Sequence, residues 1–482
     1  MPLEERADVL VIGGGPGGTP AAMALARGGK RVVLVVAGRG LGGACLFEGC
    51  IPSKIFRETA ARRLETARIA KFGLRLADPQ VTVDWTAVQA RRHHILTMRA
   101  QGALAQARSI AGLEVAFGHA RLCNSREAVI EVEGKERHVR FDHAILATGS
   151  APNRLPISGA DLPGVLTSEG LIEIGFVPAS LVLIGGGPIG IEMGQIFAAL
   201  GSRVTILEAA PRILAPVDVV LAARLSAKLD AEGIRVATGV HIEAIEGGEG
   251  RYRVRYRRAD EIVQVDTEVV AMVAGRHPNV DGLGLETTAV RHDRHGVKVN
   301  AELETGEPGI FATGDLIGQP MFAHWATAQA LAVARHLLGQ AAGWPRPETN
   351  SAVIFSRPEL GMAGLTEEAA RTAGLDVAVA EYDYSFDARA QISGAADGLL
   401  RMVYRRDDLR IVGIHVLIEG AADLMGEAAL AVACGVTLPT LAEAIHPHPT
   451  LTEAFALAAR SALASLGQHP AHQRRTNSVT RP

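Results

Sequence analysis

Cysteine is scarce in this chain, four in 482 residues, which argues against a secreted scaffold held together by disulfides. Aromatic residues make up only 4%, too few for a surface that stacks bases. Neither sign of charge dominates: 49 Lys and Arg stand against 52 Asp and Glu, so the basic footprint of a nucleic-acid binder is missing. No run approaches the ~18 consecutive apolar residues of a membrane span. The stretch from Met1 to Asp8 carries acids and no long apolar core, so it does not read as a secretory leader. A soluble, cytoplasmic protein with no nucleic-acid or membrane partner is expected. Glycine is abundant, with 53 residues, which suits an α/β protein with many tight strand-to-helix turns, and the length predicts about three domains.

The glycines are placed as well as numerous. The apolar run Asp8 to Ile12 enters Gly13-Gly14-Gly15-Pro16-Gly17-Gly18, an Ala-rich helical stretch follows from Ala21 to Arg27, and Lys30 to Val36 gives a second strand. Gly13, Gly15 and Gly18 therefore match G-x-G-x-x-G in a strand-turn-helix context, the arrangement that seats a pyrophosphate on a helix N-terminus. The pattern recurs: Ser180 to Ile184 leads into Gly185, Gly187 and Gly190, a helix runs over Glu192 to Leu200, and strand Arg203 to Leu207 ends at Glu208. Two such units imply two dinucleotides held at once. An acid at Glu208, at the end of the second strand, accepts hydrogen bonds from a ribose 2′-hydroxyl and repels a 2′-phosphate, so NAD is expected over NADP.

Two of the four cysteines, Cys45 and Cys50, lie five positions apart in a glycine-rich run. A regular helix would advance about 7.5 Å over five residues, beyond the roughly 7 Å Cα limit for a disulfide, so a bridge there needs a distorted loop, which Gly49 and Pro52 can supply. A bridge of that kind tends to be labile or catalytic. No second pair or His cluster completes a metal site, so no metal is expected. Cys123 and Cys434 read as small core residues. Two nucleotides and one reducible pair suggest an electron relay in which one nucleotide is a flavin and the other a nicotinamide. The base such a relay needs is sought in Ala444 to Glu453, where Glu453 could fold back onto His448 and fix its tautomer, with His446 as a competitor.

Elsewhere, Gly73 to Val83 reads as loop, Val88 to Ser109 as helix, and Leu113 to Phe141 as small antiparallel strands. Ala144 to Ser150 and Gly309 to Asp315 look like returns to the first nucleotide unit. Past the Pro-rich stretch Gly343 to Pro347, strands are predicted near Ala352 to Phe355, Val377 to Tyr384, Leu399 to Tyr404 and Ile411 to Leu417. Helices are predicted over Ala421 to Cys434 and Thr450 to Leu466. The fold class is thus α/β, two Rossmann-like units for FAD and NAD followed by an α+β domain. The boundaries are 1–151 with 275–347 for the discontinuous FAD unit, 152–274 for NAD, 348–467 for the last domain, and 468–482 for a disordered polar tail.

The segments Gly42 to Lys54 and His446 to Glu453 resemble the GGxCxxxxCIPSK and HxHPTxxE motifs of the flavoprotein disulfide reductases, most of all the dihydrolipoyl dehydrogenase branch. The likeness runs from about Ala7 to Ala464. It implies that Cys45 is the thiol exchanging with substrate and Cys50 the thiolate against the flavin. It further implies a head-to-tail homodimer in which His448 and Glu453 serve the other subunit's disulfide, and a Lys54–Glu192 pair beside the flavin. Gly43, Ala120, Thr148, Gly149, Asp315 and Ala323 resemble flavin contacts, and Val240 and Gly275 resemble contacts to the nicotinamide dinucleotide. The implied substrate is dihydrolipoamide borne on the lipoyl group of a partner, an acyltransferase or carrier of a 2-oxo acid dehydrogenase complex. Alternatives are an NAD(P)H-dependent reductase of another disulfide, Hg(II) or a quinone, and a non-catalytic flavin-binding scaffold. Three positions depart from the pattern: Val36 replaces the acid expected at the flavin's adenosine ribose, Trp325 a lysine, and Pro447 an alanine.

Overall fold

The computed structural model describes residues 5–78 and 80–467; the tail predicted to be disordered lies outside them, as do the first four residues of the stretch read as no leader. The chain opens with β1 (Glu5–Ile12), α1 (Thr19–Arg27) and β2 (Val32–Val36). Every residue of β2 is buried, as a strand covered on both faces of a parallel sheet must be. Then come α2 (Gly43–Phe47), α3 (Cys50–Arg68), α4 (Trp85–Arg108), β3 (Leu113–Phe117), β4 (His119–Asn124), β5 (Glu127–Val132) and β6 (Lys135–Leu146). A short β7 (Ser150–Pro152) leads out of this unit.

The first sheet runs β3-β2-β1-β6-β5-β4. Only β4, β5 and the first half of β6 form the antiparallel meander expected over Leu113 to Phe141. Leu113–Phe117 instead pairs in parallel with β2, Val32 opposite Leu113, because α4 returns the chain to the sheet's far edge in a βαβ crossover. Cys123 and Cys434 also depart from the core reading: Cys123 is half-buried and Cys434 exposed. On β4 the inward positions fall to Ala120 and Leu122, and Cys434 ends a helix at its C-cap.

The second unit comprises β8 (Val165–Thr167), α5 (Ser168–Ile172), β9 (Ser180–Ile184), α6 (Pro188–Leu200), β10 (Arg203–Glu208), α7 (Val219–Ala231) and β11 (Arg235–Thr238). A meander follows, β12 (Val240–Gly248), β13 (Arg251–Arg258) and β14 (Glu261–Thr267), before β15 (Val269–Met272) closes the parallel sheet β11-β10-β9-β15-β8. Strand β16 (Arg276–Pro278) pairs with β7 where the chain leaves. After the hairpin β17 (His292–Asp293) and β18 (Gly296–Val297), β19 (Ile310–Ala312) rejoins the first sheet beside β6, and α8 (Ala323–Leu337) packs on α1.

The last domain is a five-stranded antiparallel sheet of β20 (Ser351–Ile354), β21 (Glu359–Gly364), β22 (Val377–Asp383), β23 (Leu399–Arg405) and β24 (Ile411–Ile418), in the order β20-β21-β24-β23-β22. Helices α9 (Glu367–Thr372), α10 (Ala388–Ile392), α11 (Ala421–Ala433), α12 (Leu438–Glu443) and α13 (Glu453–Gly467) complete it. The sequence pattern did not reveal β21 or α12. Gly361 and Gly364 depress strand propensity in the former, and α12 is only six residues long.

Packing ties these parts together at one seam. Phe56 of α3, Trp85 of α4 and Phe197 of α6 form a buried aromatic file with centroid separations of 4.8 and 5.9 Å. The surrounding apolar cluster extends to Ile354, Leu360, Leu399 and Leu417 of the last sheet. Trp85 Nε1 donates to the carbonyl of Ile174 at 2.8 Å, so its one polar atom is satisfied. Truncating such a buried ring costs roughly 3–5 kcal/mol, and here it would also loosen α3 from α6.

Candidate active site

Gly42 has φ of +125°, and a Cβ on Gly43 would lie 2.8 Å from the Cα of Gly15, so the cysteine loop rests directly on the first glycine turn. Helix α2 stops at Glu48, Gly49 breaks the path with φ −146° and ψ −92°, and α3 starts at Cys50. The distortion lies at Glu48, with φ −129° and ψ −5°, and at Gly49, not at Pro52. Pro52 sits inside the first turn of α3, where a missing N–H costs nothing. The break brings both cysteines, present as thiols, into hydrogen-bond contact.

That contact separates their acidities. The hydrogen bond from Cys45 and the charge of Lys54 outweigh burial and lower the Cys50 pKa to about 7, and its place at the N-terminus of α3 acts in the same sense. Cys45 is pushed well above the ordinary thiol value by the same hydrogen bond and by burial. Cys50 is therefore the thiolate of the pair, and Cys45 keeps the proton.

Lys54 follows Cys50 by one helical turn, on the same face of α3. Its Nζ donates to Glu192 Oε2 at 2.7 Å, and Glu192 of α6 is only 8% exposed. The other carboxylate oxygen accepts from the amide of Phe355 at 2.9 Å. Lys54 Nζ also stands 4.4 Å from the centre of the Phe355 ring. Nothing in the sequence pattern singled out Phe355, which reaches this site from about 300 residues away along the chain.

The two glycine turns are built alike at the switch points of the two sheets, between β1 and β6 and between β9 and β15, where such sheets bind ligands. A Cβ on Gly13 would overlap the carbonyl of Ala147 and one on Gly185 would approach that of Val273, while Gly18 and Gly190 press on the carbonyls of Gly13 and Gly185. Helices α1, α6 and α8 have no side-chain cap, whereas α4, α7 and α9 are capped by Asp84, Asp218 and Thr366. Helix starts without a side-chain cap fit phosphate groups and a ring carrying negative charge, although at α1 the amides of Gly18 and Thr19 turn back to the carbonyl of Gly15.

The remaining flavin candidates surround the first turn. Thr148 Oγ1 donates to the carbonyl of Asn279 at 2.7 Å, and Gly149 adopts φ of +73°. Ala120 turns its side chain into the core, which leaves only its backbone for a ligand. Asp315 accepts from Ser150 Oγ at 2.6 Å. Ser150 in turn receives Arg276 Nε at 2.8 Å, and Arg276 also reaches Glu169 at 3.1 Å. This chain of contacts from the second unit to Asp315 was invisible in the sequence. Ala323 opens α8, with Trp325 buried behind it.

In the second unit Glu208 Oε2 accepts from Gly186 N at 2.6 Å and Oε1 from Ala210 N at 2.7 Å, which holds the carboxylate at the glycine turn. A Cβ on Gly187 would meet nothing within 4 Å, leaving its backbone open to approach. Val240 is buried in the apolar cluster beneath the meander, so only its backbone can face a ligand. Gly275 has φ of +88° at the exit from the sheet.

The two candidate bases have different surroundings. His446 Nε2 donates to Glu427 Oε1 at 2.8 Å, and its side chain is 9% exposed. His448 Nδ1 donates to Glu453 Oε1 at 3.0 Å, with its side chain 72% exposed. Since a carboxylate only accepts, Nε2 of His448 keeps a free lone pair directed at solvent. The amide of Thr450 and then His448 hold the Glu453 carboxyl below its ordinary value. The Tyr384 hydroxyl donates to the carbonyl of Leu451 at 3.3 Å and anchors the loop from the other side.

Residues 7–330 match the family described as pyridine nucleotide-disulphide oxidoreductase, and residues 350–459 match its dimerisation domain. The chain is 34% identical over 460 residues to a dihydrolipoyl dehydrogenase of Geobacillus stearothermophilus, covering 95% of this chain and 96% of that protein. Among solved structures it resembles LpdA from Mycobacterium tuberculosis, with a TM-score of 0.87 and 25% identity over 95% of this chain and 99% of the other. It also resembles RclA, an HOCl-induced flavoprotein disulfide reductase from Escherichia coli, with a TM-score of 0.81 and 25% identity over 93% and 98% of the two chains.

Proposed function

The chain belongs to the pyridine nucleotide-disulphide oxidoreductases, enzymes that work with FAD and NAD(H), and on that premise we propose that it oxidises dihydrolipoamide with NAD as the final acceptor. The observation that carries this reading is the meeting of Cys45 and a low-pKa Cys50 one turn ahead of the Lys54–Glu192 pair. Gly13, Gly15, Gly18, Gly43, Lys54, Ala120, Thr148, Gly149, Asp315 and Ala323 hold FAD. Gly185, Gly187, Gly190, Glu208, Val240 and Gly275 hold NAD. The FAD unit takes 1–151 and 275–347, the NAD unit 152–274 and the interface domain 348–467. No helix among the described residues is long and apolar enough to cross a membrane. The proposed compartment is the cytoplasm, where a lone cysteine pair is more often catalytic than structural.

The protein's own steps follow from its protonation states. His448 Nε2 takes a proton from one substrate thiol, and that thiolate attacks Sγ of Cys45 in the oxidised pair. A substrate–Cys45 bond forms, the Cys45–Cys50 bond breaks, and Cys50 leaves as the thiolate that its surroundings favour. The second substrate sulfur then attacks the first, closing the lipoyl disulfide and releasing Cys45, which takes up the remaining proton. Two protons leave the substrate: one ends on His448 and one on Cys45. When bound, FAD would supply a two-electron acceptor for the reduced cysteine pair, and NAD the terminal hydride acceptor. The working unit is a homodimer, with His448 and Glu453 serving the partner's disulfide, and the lipoyl group comes from an acyltransferase or carrier of a 2-oxo acid dehydrogenase complex.

The test is NAD reduction by free dihydrolipoamide, run beside NADH- and NADPH-dependent reduction of glutathione disulfide, Hg(II) and quinones. Turnover with dihydrolipoamide supports the reading; turnover confined to another acceptor overturns the substrate. Trp325, a bulky buried ring in the first turn of α8, favours that second reading, a reductase of another disulfide, Hg(II) or a quinone. A flavin-loaded protein that gives no long-wavelength band on anaerobic addition of dithiothreitol or NADH would be the non-catalytic scaffold.

A further inference from the structure

The end of β20 and the turn into β21 lie across α3 and α6. Gln195 of α6 clamps the turn from both sides: its Nε2 donates to the carbonyl of Arg357 at 2.8 Å, and its Oε1 accepts from the amide of Arg357 at 2.7 Å. Arg57 of α3 pairs with Glu359. Between these clamps the amide of Phe355 binds Glu192 Oε1 at 2.9 Å, while the face of its ring lies 4.4 Å from Lys54 Nζ and 5.6 Å from the Arg57 guanidinium. The two oxygens of Glu192 are thus divided, one taken by Lys54 and the other by the segment that carries Phe355.

We propose that Phe355 is a positioning residue for the redox pair: its amide orients Glu192, its ring holds the Lys54 ammonium, and together they keep that charge where it favours the Cys50 thiolate. The segment belongs to the dimerisation domain, so the interface domain reaches into the chemistry of the first unit. The inference rests on the reading that Cys50 is the reactive thiolate. The groups facing Cys50 are Cys45 from α2, Lys54 from its own helix and Glu192 from α6; Arg99 of α4 acts on Cys45. Of these, only the Lys54–Glu192 pair touches Phe355. A cation over an aromatic face is held partly by the ring's quadrupole, and an aliphatic side chain would leave Glu192 to hold the ammonium without the ring, so that water reaches it more freely and screens its field at Cys50.

The experiment measures the pH dependence of Cys50 alkylation by iodoacetamide in the dithiothreitol-reduced holoenzyme, read by fragmenting the Cys45–Cys50 peptide in a mass spectrometer. Phe355→Leu is expected to raise the midpoint by about 0.5–1 pH unit, slowing alkylation at pH 6.5 by roughly three- to tenfold. Phe355→Tyr keeps the ring and should retain the wild-type midpoint. Phe355→Met, closer in volume, is run in parallel with the same expectation as Phe355→Leu in case that variant folds poorly. In a Lys54→Met background, Phe355→Leu should produce no further shift. An unchanged midpoint in folded Phe355→Leu and Phe355→Met overturns the proposal, as does an equal shift in the Lys54→Met background. The measurement involves neither dihydrolipoamide nor NAD, so a wrong substrate assignment leaves it intact.

Discussion

Val36 stands against Gly14 as Glu208 stands against Gly186. A Cβ on Gly14 would lie 2.8 Å from Val36 Cγ1, and one on Gly186 would lie 2.9 Å from Glu208 Cβ. The two side chains occupy the same place in two copies of one supersecondary unit, at the ends of β2 and β10. Glu208 offers the turn a carboxylate; Val36, 3% exposed, offers it only methyl groups. The first glycine turn therefore lacks an acceptor that the second retains.

Restoring that acceptor is expected to strengthen flavin retention. A charge-assisted hydrogen bond is worth roughly 1.5–3 kcal/mol, so Val36→Glu should slow FAD loss on dialysis by about 10- to 100-fold. Flavin absorbance remaining on the protein against time checks this, and equal release rates would sink the idea.

Glu208 makes the converse case. Glu208→Ala removes the acceptor for Gly186 N and Ala210 N together with the carboxylate proposed to recognise a ribose hydroxyl. The KM for NAD should rise about tenfold, and the preference for NAD over NADP should shrink because a 2′-phosphate no longer meets a negative charge. Glu208→Gln keeps one backbone acceptor and should fall between the two. Steady-state kinetics with both nucleotides decides it; an unchanged NAD to NADP ratio would remove Glu208 from the specificity role.

The acidity of Cys50 gives a prediction with a definite sign. Its pKa is lowered to about 7, first by the hydrogen bond from Cys45, so in the reduced protein the thiolate forms as pH rises through 7. Cys45→Ala deletes that hydrogen bond, and the alkylation midpoint of Cys50 should move upward, toward the ordinary thiol value of roughly 8.5. Lys54 remains and limits the shift. A midpoint that stayed near 7 would transfer the effect from Cys45 to Lys54 and the helix start.

Local signals were readable in the sequence because local chemistry imposes them. Both glycine turns, the strand Ser180–Ile184 and the carboxylate that folds back from Glu453 to His448 depend on residues close together in the chain, and each lies where spacing put it. Pairing partners were harder to see. Leu113–Phe117 alternates like a meander strand, yet α4 carries it to the parallel edge beside β2. The competition between His446 and His448 was undecidable locally as well, because the residue that occupies His446 is Glu427, on α11. Phe355 carries no motif at all. Its role exists only because the Phe56–Trp85–Phe197 file packs α3 on α6 and the last sheet lays its first strand across both.

The placement of His448 makes the final prediction one of stoichiometry. His448 hydrogen-bonds to Glu453 and faces solvent, while the Cys45 and Cys50 thiols lie against one another beside Lys54, on elements of a different domain. If each site combines the cysteines of one subunit with the base of the other, neither Cys45→Ser nor His448→Gln homodimers should turn over at more than about 1% of wild type. A hybrid of the two contains one site with both groups intact and one with neither. Unfolding and reassembling an equal mixture gives half hybrids, each with one working site of two, so activity should recover to roughly a quarter of wild type. A base serving its own subunit's cysteines predicts no recovery, because every site in every dimer would then lack one of the two groups.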